Sequence, residues 1–193
     1  MILLMKPPIW NLLILATLLL GSGFILATRP GAYSAAPQST LPTTLLQSSQ
    51  EPAPEVGHPA PPFQLSDLSG QPVRLEQFRG QVVLINIWAT WCPPCRAEMP
   101  AIQATYERHA TRGFVVLAIN SREQQADVAE FMQDRQLSFP ALLDSDGSVA
   151  ALYRASALPS SFLIGRDGTV RVVYRGPLPL GVIDAAVDSL LEE

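Results

Sequence analysis

A nearly continuous apolar run, Val82–Trp88, is separated by three residues from a cysteine pair in the segment Trp91-Cys92-Pro93-Pro94-Cys95. Such a run is typical of a strand buried on both faces of a sheet. Beyond the cysteines, the apolar residues Met99, Ile102 and Tyr106 recur at spacings of three and four, which indicates a helix with one apolar face. The pattern therefore predicts a buried strand, a cysteine pair and a helix in succession, as an α/β fold requires.

Composition excludes several classes of protein. The 193 residues carry 13 Lys and Arg against 17 Asp and Glu, a formal net charge of −4, so the chain lacks the basic balance of a nucleic-acid binder. Two cysteines cannot complete a four-thiolate zinc site, and the two histidines, His58 and His109, stand far apart. We therefore predict no nucleic-acid partner, no metal site and no cofactor, and we interpret both histidines as structural.

The N-terminal region has the pattern of a membrane segment. Ile9–Thr28 contains no formal charge and, as a helix, would span the roughly 30 Å hydrocarbon core of a bilayer. We interpret residues 9–28 as a transmembrane signal-anchor and residues 1–8 as a cytoplasmic tail. A cleaved signal peptide is the alternative, because Ala32-Tyr33-Ser34 offers small residues at plausible cleavage positions. Either interpretation places the rest of the chain outside the cytoplasm, in the periplasm or on the outer side of the cytoplasmic membrane.

Residues 29–55 have the composition of a linker. Pro, Ser, Thr, Gln and Ala dominate, and no charged residue occurs from Pro30 to Gln50. The prolines favour extended conformations, so we expect a semi-stiff spacer between the membrane and a domain at residues 56–193.

Within residues 56–193, strands and helices alternate. The predicted elements are a hairpin of Phe63–Ser66 and Val73–Leu75, the strand Val82–Trp88, a helix ended by Gly113, the strand Phe114–Ile119, the helix Glu123–Gln136, the strand Ala141–Leu143, a helical segment Val149–Tyr153, a hairpin of Ser161–Ile164 and Val170–Tyr174, and a last helix with Leu180, Ile183, Val187 and Leu190 on its apolar face. This order predicts a central mixed sheet flanked by helices. The acidic residues Glu123, Asp127, Glu130 and Asp134 are interpreted as a solvated helix face without a function.

The cysteine pair carries the chemistry. Cys92 precedes a helix N-terminus, where unpaired N–H groups and the helix dipole stabilise a thiolate, so we expect Cys92 to be the attacking thiol. Cys95, one turn further on, would resolve the mixed disulfide. Pro93 and Pro94 are tolerated in the first helical turn and stiffen it. A static disulfide or half of an intermolecular metal site is the alternative, but so short a loop would gain little stability from a bridge.

The segment Trp88-Ala89-Thr90-Trp91-Cys92-Pro93-Pro94-Cys95-Arg96-Ala97-Glu98-Met99-Pro100 resembles the active-site segment of the thioredoxin superfamily, in particular the membrane-tethered TlpA/ResA-like thiol-disulfide reductases. Val56-Gly57-His58-Pro59-Ala60-Pro61 resembles the entry into that domain, and Leu158-Pro159-Ser160-Ser161-Phe162-Leu163-Ile164 resembles its later proline segment. The resemblance covers about Val56 to Pro177. It implies a thioredoxin-like fold with an N-terminal hairpin and a helix–strand insertion around Glu123–Leu143.

The resemblance also implies roles for individual residues. Pro159 would be the cis-proline beside the sulfurs, and the backbone of Leu158 would pair with the substrate chain. Trp91 would shield the disulfide or contact substrate, together with Pro93 and Pro94, whereas strand alternation places Trp88 in the core.

Proton transfer to and from the thiols points to a further residue. Asn86 occupies the position where plain thioredoxins have a buried Asp, so that acid is missing. Glu98, one turn after Cys95, is the replacement candidate, because a partly buried carboxylate there would accept a proton or modulate the ionisation of both thiols. The alternative is an exposed glutamate near a helix N-terminus, where negative charge is favourable anyway.

Together these features predict an extracytoplasmic thiol-disulfide oxidoreductase that reduces protein disulfides, apocytochrome c among the candidate substrates, and receives electrons from a transmembrane thiol-transfer partner. An oxidant that introduces disulfides is the main alternative. A copper-delivery module is weaker, since such proteins usually have wider cysteine spacing and a downstream ligand His, and here the only one is His109. A peroxidase is also weaker, because the cysteine segment lacks a Thr-x-x-Cys arrangement.

Overall fold

The computed structural model describes residues 50–179 and 181–193. The predicted tail, the membrane segment, nearly all of the linker and Leu180 lie outside the described residues. Within the described ranges, no helix has both the length and the hydropathy needed to cross a membrane.

Seven strands and four α-helices form the domain. In chain order they are β1 (Gln64–Asp67), β2 (Pro72–Arg74), β3 (Val82–Trp88), α1 (Pro93–His109), β4 (Phe114–Ser121), α2 (Gln125–Asp134), β5 (Ala141–Asp144), α3 (Ser148–Leu152), β6 (Ser160–Ile164), β7 (Val170–Arg175) and α4 (Val182–Leu191), with 3₁₀ turns at Leu75–Phe78 and Ala110–Arg112. These elements confirm the predicted order.

All seven strands belong to one mixed sheet in the order β2-β1-β5-β4-β3-β6-β7. β3 pairs in parallel with β4, which pairs in parallel with β5, whereas β3 and β6 are antiparallel. The carboxyl end of β3 therefore lies beside the start of β6. Because Cys92 follows β3 and Pro159 precedes β6, the topology brings the cysteine pair and the later proline segment to one edge of the sheet.

Strand alternation divides the core into two layers. Val82, Leu84 and Trp88 face the layer that contains apolar residues of α1, α2 and α4, while Val83, Ile85 and Ile87 face the layer that contains α3 and the N-terminal chain. The predicted burial of Trp88 is confirmed, since its ring is 0% exposed and packs 5.0 Å from the ring of Phe131. Helices flank the sheet as expected, although one face carries only the five-residue α3.

Most element boundaries differ from the prediction by one or two residues, and two of these differences matter here. Leu75 lies in a 3₁₀ turn rather than in β2. The second helix begins at Gln125 instead of Glu123, because Gln124 is its extended N-cap and the carboxylate of Glu123 is bonded elsewhere. The Asp167-Gly168 hairpin forms as predicted, with Gly168 at a left-handed φ of 79°.

The chain just before Val56 already contacts the domain. The backbone N–H of Ala53 donates to the carbonyl of Pro59 at 3.0 Å, and the carboxylate of Glu55 pairs with Arg154. The domain boundary at residue 56 stays a prediction.

Candidate active site

Cys92 and Cys95 are joined by a disulfide at the start of α1, with their Cα atoms 5.3 Å apart. Cys92 is the N-cap of α1, Pro93 is its first residue, and the backbone N–H of Cys95 donates to Cys92 Sγ at 3.3 Å. The predicted placement at a helix N-terminus is therefore confirmed. Both cysteines are buried in this oxidised state, with exposures of 3% for Cys92 and 0% for Cys95.

A short loop, Ala89–Trp91, connects β3 to Cys92. The backbone N–H of Cys92 donates to the carbonyl of Ala89 at 3.2 Å, which closes a turn. Trp91 is 67% exposed, so its ring is open to a substrate.

An open groove of about 640 Å³ runs beside the cysteine pair. It is lined by Trp91, Cys92, Pro93, Pro94, Ser121, Arg122, Gly147, Ala150, Ala151, Ala155, Ser156, Ala157 and Leu158. The Leu158–Pro159 peptide bond is cis, as the resemblance implied. In the described part of the chain, neither the N–H nor the carbonyl of Leu158 makes a hydrogen bond, so both remain available to an extended peptide.

Glu98 lies in the interior on the α1 side of the sheet and is 3% exposed. Its Oε1 accepts a hydrogen bond from Asn86 Nδ2 at 2.8 Å, and its Oε2 accepts one from the backbone N–H of Leu178 at 2.9 Å. Burial raises the pKa of this carboxyl, and the two hydrogen bonds offset only part of that effect. The geometry excludes the alternative of an exposed helix glutamate.

Asn86 links Glu98 to the sheet. It lies opposite Ser161 in the β3–β6 ladder, and its Nδ2 donates to Ser161 Oγ at 2.9 Å as well as to Glu98. Its Oδ1 is buried without a hydrogen-bond partner among the described residues. The buried acid that Asn86 cannot supply is therefore supplied from α1, one turn beyond Cys95.

Comparison with known proteins agrees with this geometry. The AhpC/TSA family matches residues 56–173, which is more than half of the chain. The chain belongs to the AhpC/TSA family. This family membership covers the cysteine pair, Glu98, the groove and the cis-proline segment.

Relatives within the AhpC/TSA family narrow the activity. The chain is 37% identical over 128 residues to the thiol-disulfide oxidoreductase ResA of Bacillus cereus, covering 66% of this chain and 74% of that protein. It is 35% identical over 127 residues to ResA of Bacillus subtilis, covering 66% and 71% of the two chains. The protein is accordingly a thiol-disulfide oxidoreductase of the ResA type.

A solved structure supports the fold. A thioredoxin-family thiol:disulfide interchange protein from Chlorobium tepidum superimposes with a TM-score of 0.64 at 29% identity, covering 73% of this chain and 97% of that one. The thioredoxin-like fold predicted from the resemblance is confirmed.

One residue beside the site was assigned wrongly from the sequence. Glu123 is half-buried rather than part of a solvated face, since it accepts hydrogen bonds from the backbone and side chain of Thr90 and, at 2.7 Å, from Asn120 Nδ2. Glu123 lies 33 residues from Thr90 in the chain. No local periodicity could reveal this contact, because it arises where the parallel strands β3 and β4 end side by side.

A cluster of three side chains that is separate from the cysteine pair has the spacing of metal ligands. Atoms of His109, Asp184 and Asp188 lie within 4.8 Å of one another. Arg108 pairs with Asp184 and Arg112 pairs with Asp188, while His109 is 1% exposed and 3.0 Å from Asp184. We interpret the cluster as an ion-pair network that joins α1 to α4.

Proposed function

We propose that the protein is an extracytoplasmic reductase of protein disulfides. One arrangement carries this proposal: Cys92 lines an open groove, whereas Cys95 is fully buried and neither Cys95 nor Glu98 belongs to the groove lining. A substrate sulfur that enters the groove meets Cys92 first, so the attacking and resolving roles are divided by access.

The reduced protein would act in two exchange steps. The Cys92 thiolate attacks one sulfur of a substrate disulfide, and the other substrate sulfur leaves as a thiolate. The Cys95 thiolate then attacks Cys92 Sγ and releases the second substrate thiolate. Two electrons pass to the substrate, and the protein is left with the Cys92–Cys95 disulfide observed here.

The groove supplies the means to hold a polypeptide. The unpaired N–H and carbonyl of Leu158 would form main-chain hydrogen bonds with an extended substrate segment. The exposed ring of Trp91 and the edge formed by Pro93 and Pro94 would contact its side chains.

Glu98 would serve the second step as a general base. Cys95 must lose a proton before it attacks, and a buried carboxyl with a raised pKa is better matched to accept that proton than an ordinary glutamate. Glu98 lies one turn after Cys95 on the same helix, so the two side chains share a face of α1.

The cellular setting follows from sequence features outside the described residues. An anchor at residues 9–28 would hold the domain outside the cytoplasm, where reducing equivalents must arrive through a transmembrane thiol-transfer partner. The resemblance to TlpA/ResA-like reductases supports apocytochrome c cysteines as the substrate.

The reduction potential of the Cys92–Cys95 pair tests the direction of transfer. We would equilibrate the full chain in neutral detergent with defined thiol–disulfide buffers and measure the fraction oxidised. A potential near or below roughly −270 mV, at the thioredoxin end of the scale, is expected of a reductase. A potential near roughly −120 mV would contradict the proposal and identify a disulfide-introducing oxidant.

A further inference from the structure

The described lining of the groove beside Cys92 contains a positively charged residue and no negatively charged one. Arg122 is the one charged residue in its lining, and the others are apolar, small or hydroxyl-bearing. The described chain places no carboxylate in that lining. A chain with a formal net charge of −4 therefore presents a positive group where its substrate enters.

The backbone of Arg122 has a conformation that residues other than glycine rarely adopt. Its φ is 63°, in the left-handed region, and its N–H donates to the carbonyl of Asp144 at 3.0 Å. The guanidinium lies directly against Gly147, where an added Cβ would overlap it. A glycine at that position thus leaves the space that the Arg122 side chain occupies along the groove.

The neighbouring carboxylates are bonded to other groups. Asp144 accepts hydrogen bonds from the backbone N–H groups of Val149 and Ala150, and Asp146 accepts one from Ser148. Glu123, the next residue along the chain, is bonded to Thr90 and Asn120.

Arg122 also differs from other arginines of the domain. Arg108, Arg112, Arg154 and Arg171 each pair with a carboxylate, whereas within the described residues the Arg122 guanidinium has no ion pair or hydrogen bond. Its charge is therefore not neutralised by a described side chain.

We propose that Arg122 recognises an acidic side chain within a few residues of the reactive cysteine of the substrate polypeptide. This inference rests on the proposed function and names the class of substrate. A segment paired with Leu158 and attacked by Cys92 lies in the groove that Arg122 lines, so a Glu or Asp near its cysteine meets the guanidinium.

The position of Arg122 at the groove determines which kinetic step its charge affects. An exposed charge at the rim of a binding site acts mainly on the association rate and is screened by salt. We therefore expect Arg122 to alter the second-order rate constant of reduction according to peptide charge, and to lose that influence at high ionic strength.

Three synthetic peptides provide the test. They share one sequence with a single cysteine linked by a disulfide to 2-mercaptoethanol, and the flanking positions carry Glu, Gln or Lys. The reduced full chain in neutral detergent should reduce the Glu peptide faster than the Lys peptide by roughly threefold to tenfold at low salt. The ratio should approach one at about 1 M NaCl, where the screening length is about 3 Å.

Variants assign the preference to one side chain. Arg122→Gln should abolish the preference for the Glu peptide over the Lys peptide, Arg122→Glu should reverse this preference, and Arg122→Lys should retain much of it. Arg74→Gln is the matched control, because Arg74 is an exposed arginine on β2 at the far edge of the sheet and should retain the wild-type ratio.

The outcomes separate the two proposals. If the wild-type protein reduces all three peptides at equal rates, recognition by Arg122 is overturned while the reductase function stands. If Arg122→Gln keeps the preference, the assignment to Arg122 is wrong. If the reduced protein reduces none of the peptides, the proposed function and this inference fail together.

Discussion

The carboxylate of Glu123 accepts hydrogen bonds from both the backbone N–H and the hydroxyl of Thr90, two residues before Cys92. The N–H bond measures 2.7 Å, and Asn120 Nδ2 donates to the same carboxylate at 2.7 Å. One side chain thus connects the loop after β3 to the loop after β4. If Cys92 is the attacking thiol, we expect Glu123 to be a positioning residue that holds the loop before Cys92 without contacting the reacting atoms.

Replacement of Glu123 by Gln should weaken this connection. The amide turns one accepting oxygen into a donor, so a group of Thr90 or Asn120 loses its acceptor. We expect Glu123→Gln to lower the free energy of unfolding by about 1–3 kcal/mol, as measured by urea denaturation, and to shift the reduction potential of the cysteine pair. Glu130→Gln, at an exposed position of α2, should stay within about 0.5 kcal/mol of wild type. Equal stability and potential in Glu123→Gln and wild type would refute the positioning role.

Removal of the Glu98 carboxyl should slow the step in which Cys95 acts. If Glu98 accepts the Cys95 proton, Glu98→Gln should resolve a preformed mixed disulfide roughly 100-fold more slowly near neutral pH. The difference should narrow as the pH rises and the thiol ionises without assistance. Stopped-flow measurements across about pH 6–9 test this, with the exposed Glu107→Gln on the same helix as control. A Glu98→Gln profile that follows wild type throughout would eliminate the base role.

The burial of Glu98 also predicts how stability depends on pH. Because burial raises its pKa above the ordinary 4.5, the folded protein retains this proton at pH values where the unfolded chain has released it. Wild type therefore loses stability as the pH rises from the unfolded pKa through the folded one, and Glu98→Gln lacks that loss. Urea denaturation at a series of pH values should show the stability of Glu98→Gln relative to wild type rising across this window. A pH-independent difference would mean that Glu98 does not titrate differently in the two states.

Substitution of Cys95 should trap the substrate. Once Cys92 has attacked, a Cys95→Ser protein has no thiol with which to release it, so the mixed disulfide should accumulate and be visible by mass spectrometry. Cys92→Ser is the matched control and should form little adduct, since the remaining Cys95 is fully buried in the native structure. Comparable adducts on both variants would contradict the division of roles.

The ion pair between α1 and α4 predicts an acid-dependent loss of stability. Partial burial raises the pKa of Asp184, but the hydrogen bond with His109 and the charge of Arg108 lower that pKa by more than burial raises it. The net shift of the pKa is therefore downward. Its contribution is present above the ordinary pKa of 3.8 and is lost as the pH falls through the lowered value. Asp184→Asn should cost about 1–2 kcal/mol at neutral pH and converge with wild type in acid, as followed by thermal unfolding. A cost that persists in acid would point to lost packing instead of charge.

Much of the fold could be predicted because the apolar patterns are strong. The continuous run of β3 and the spacing of Met99 and Ile102 leave few alternatives to a buried strand and an amphipathic helix. The Asp-Gly signal similarly predicts the second hairpin. These features depend on residues close together in the chain, where periodicity is informative.

The polar contacts of the site could be predicted only in part. The spacing from Cys95 predicts a role for Glu98, but one of the hydrogen bonds that its carboxylate accepts comes from the backbone of Leu178, 80 residues away. The contact between Glu123 and Thr90 also depends on where two strands end in space. No sequence pattern distinguishes a glutamate that is hydrated from one that accepts hydrogen bonds from a distant part of the chain, so the sequence favours the solvated interpretation of Glu123.

The pairing of Asn86 with Ser161 belongs to the register of β3 against β6, and this register also sets the position of Leu158 relative to Cys92. A one-residue slip between β3 and β6 would change which residue faces Asn86 and would carry Leu158 along the edge of the sheet away from Cys92. We therefore expect an inserted residue that shifts this register to separate the Leu158–Pro159 segment from the cysteine pair, even if both cysteines, Glu98 and α1 stayed intact. The pairing of β3 with β6 therefore limits where this enzyme tolerates insertions, as the reactive residues also do.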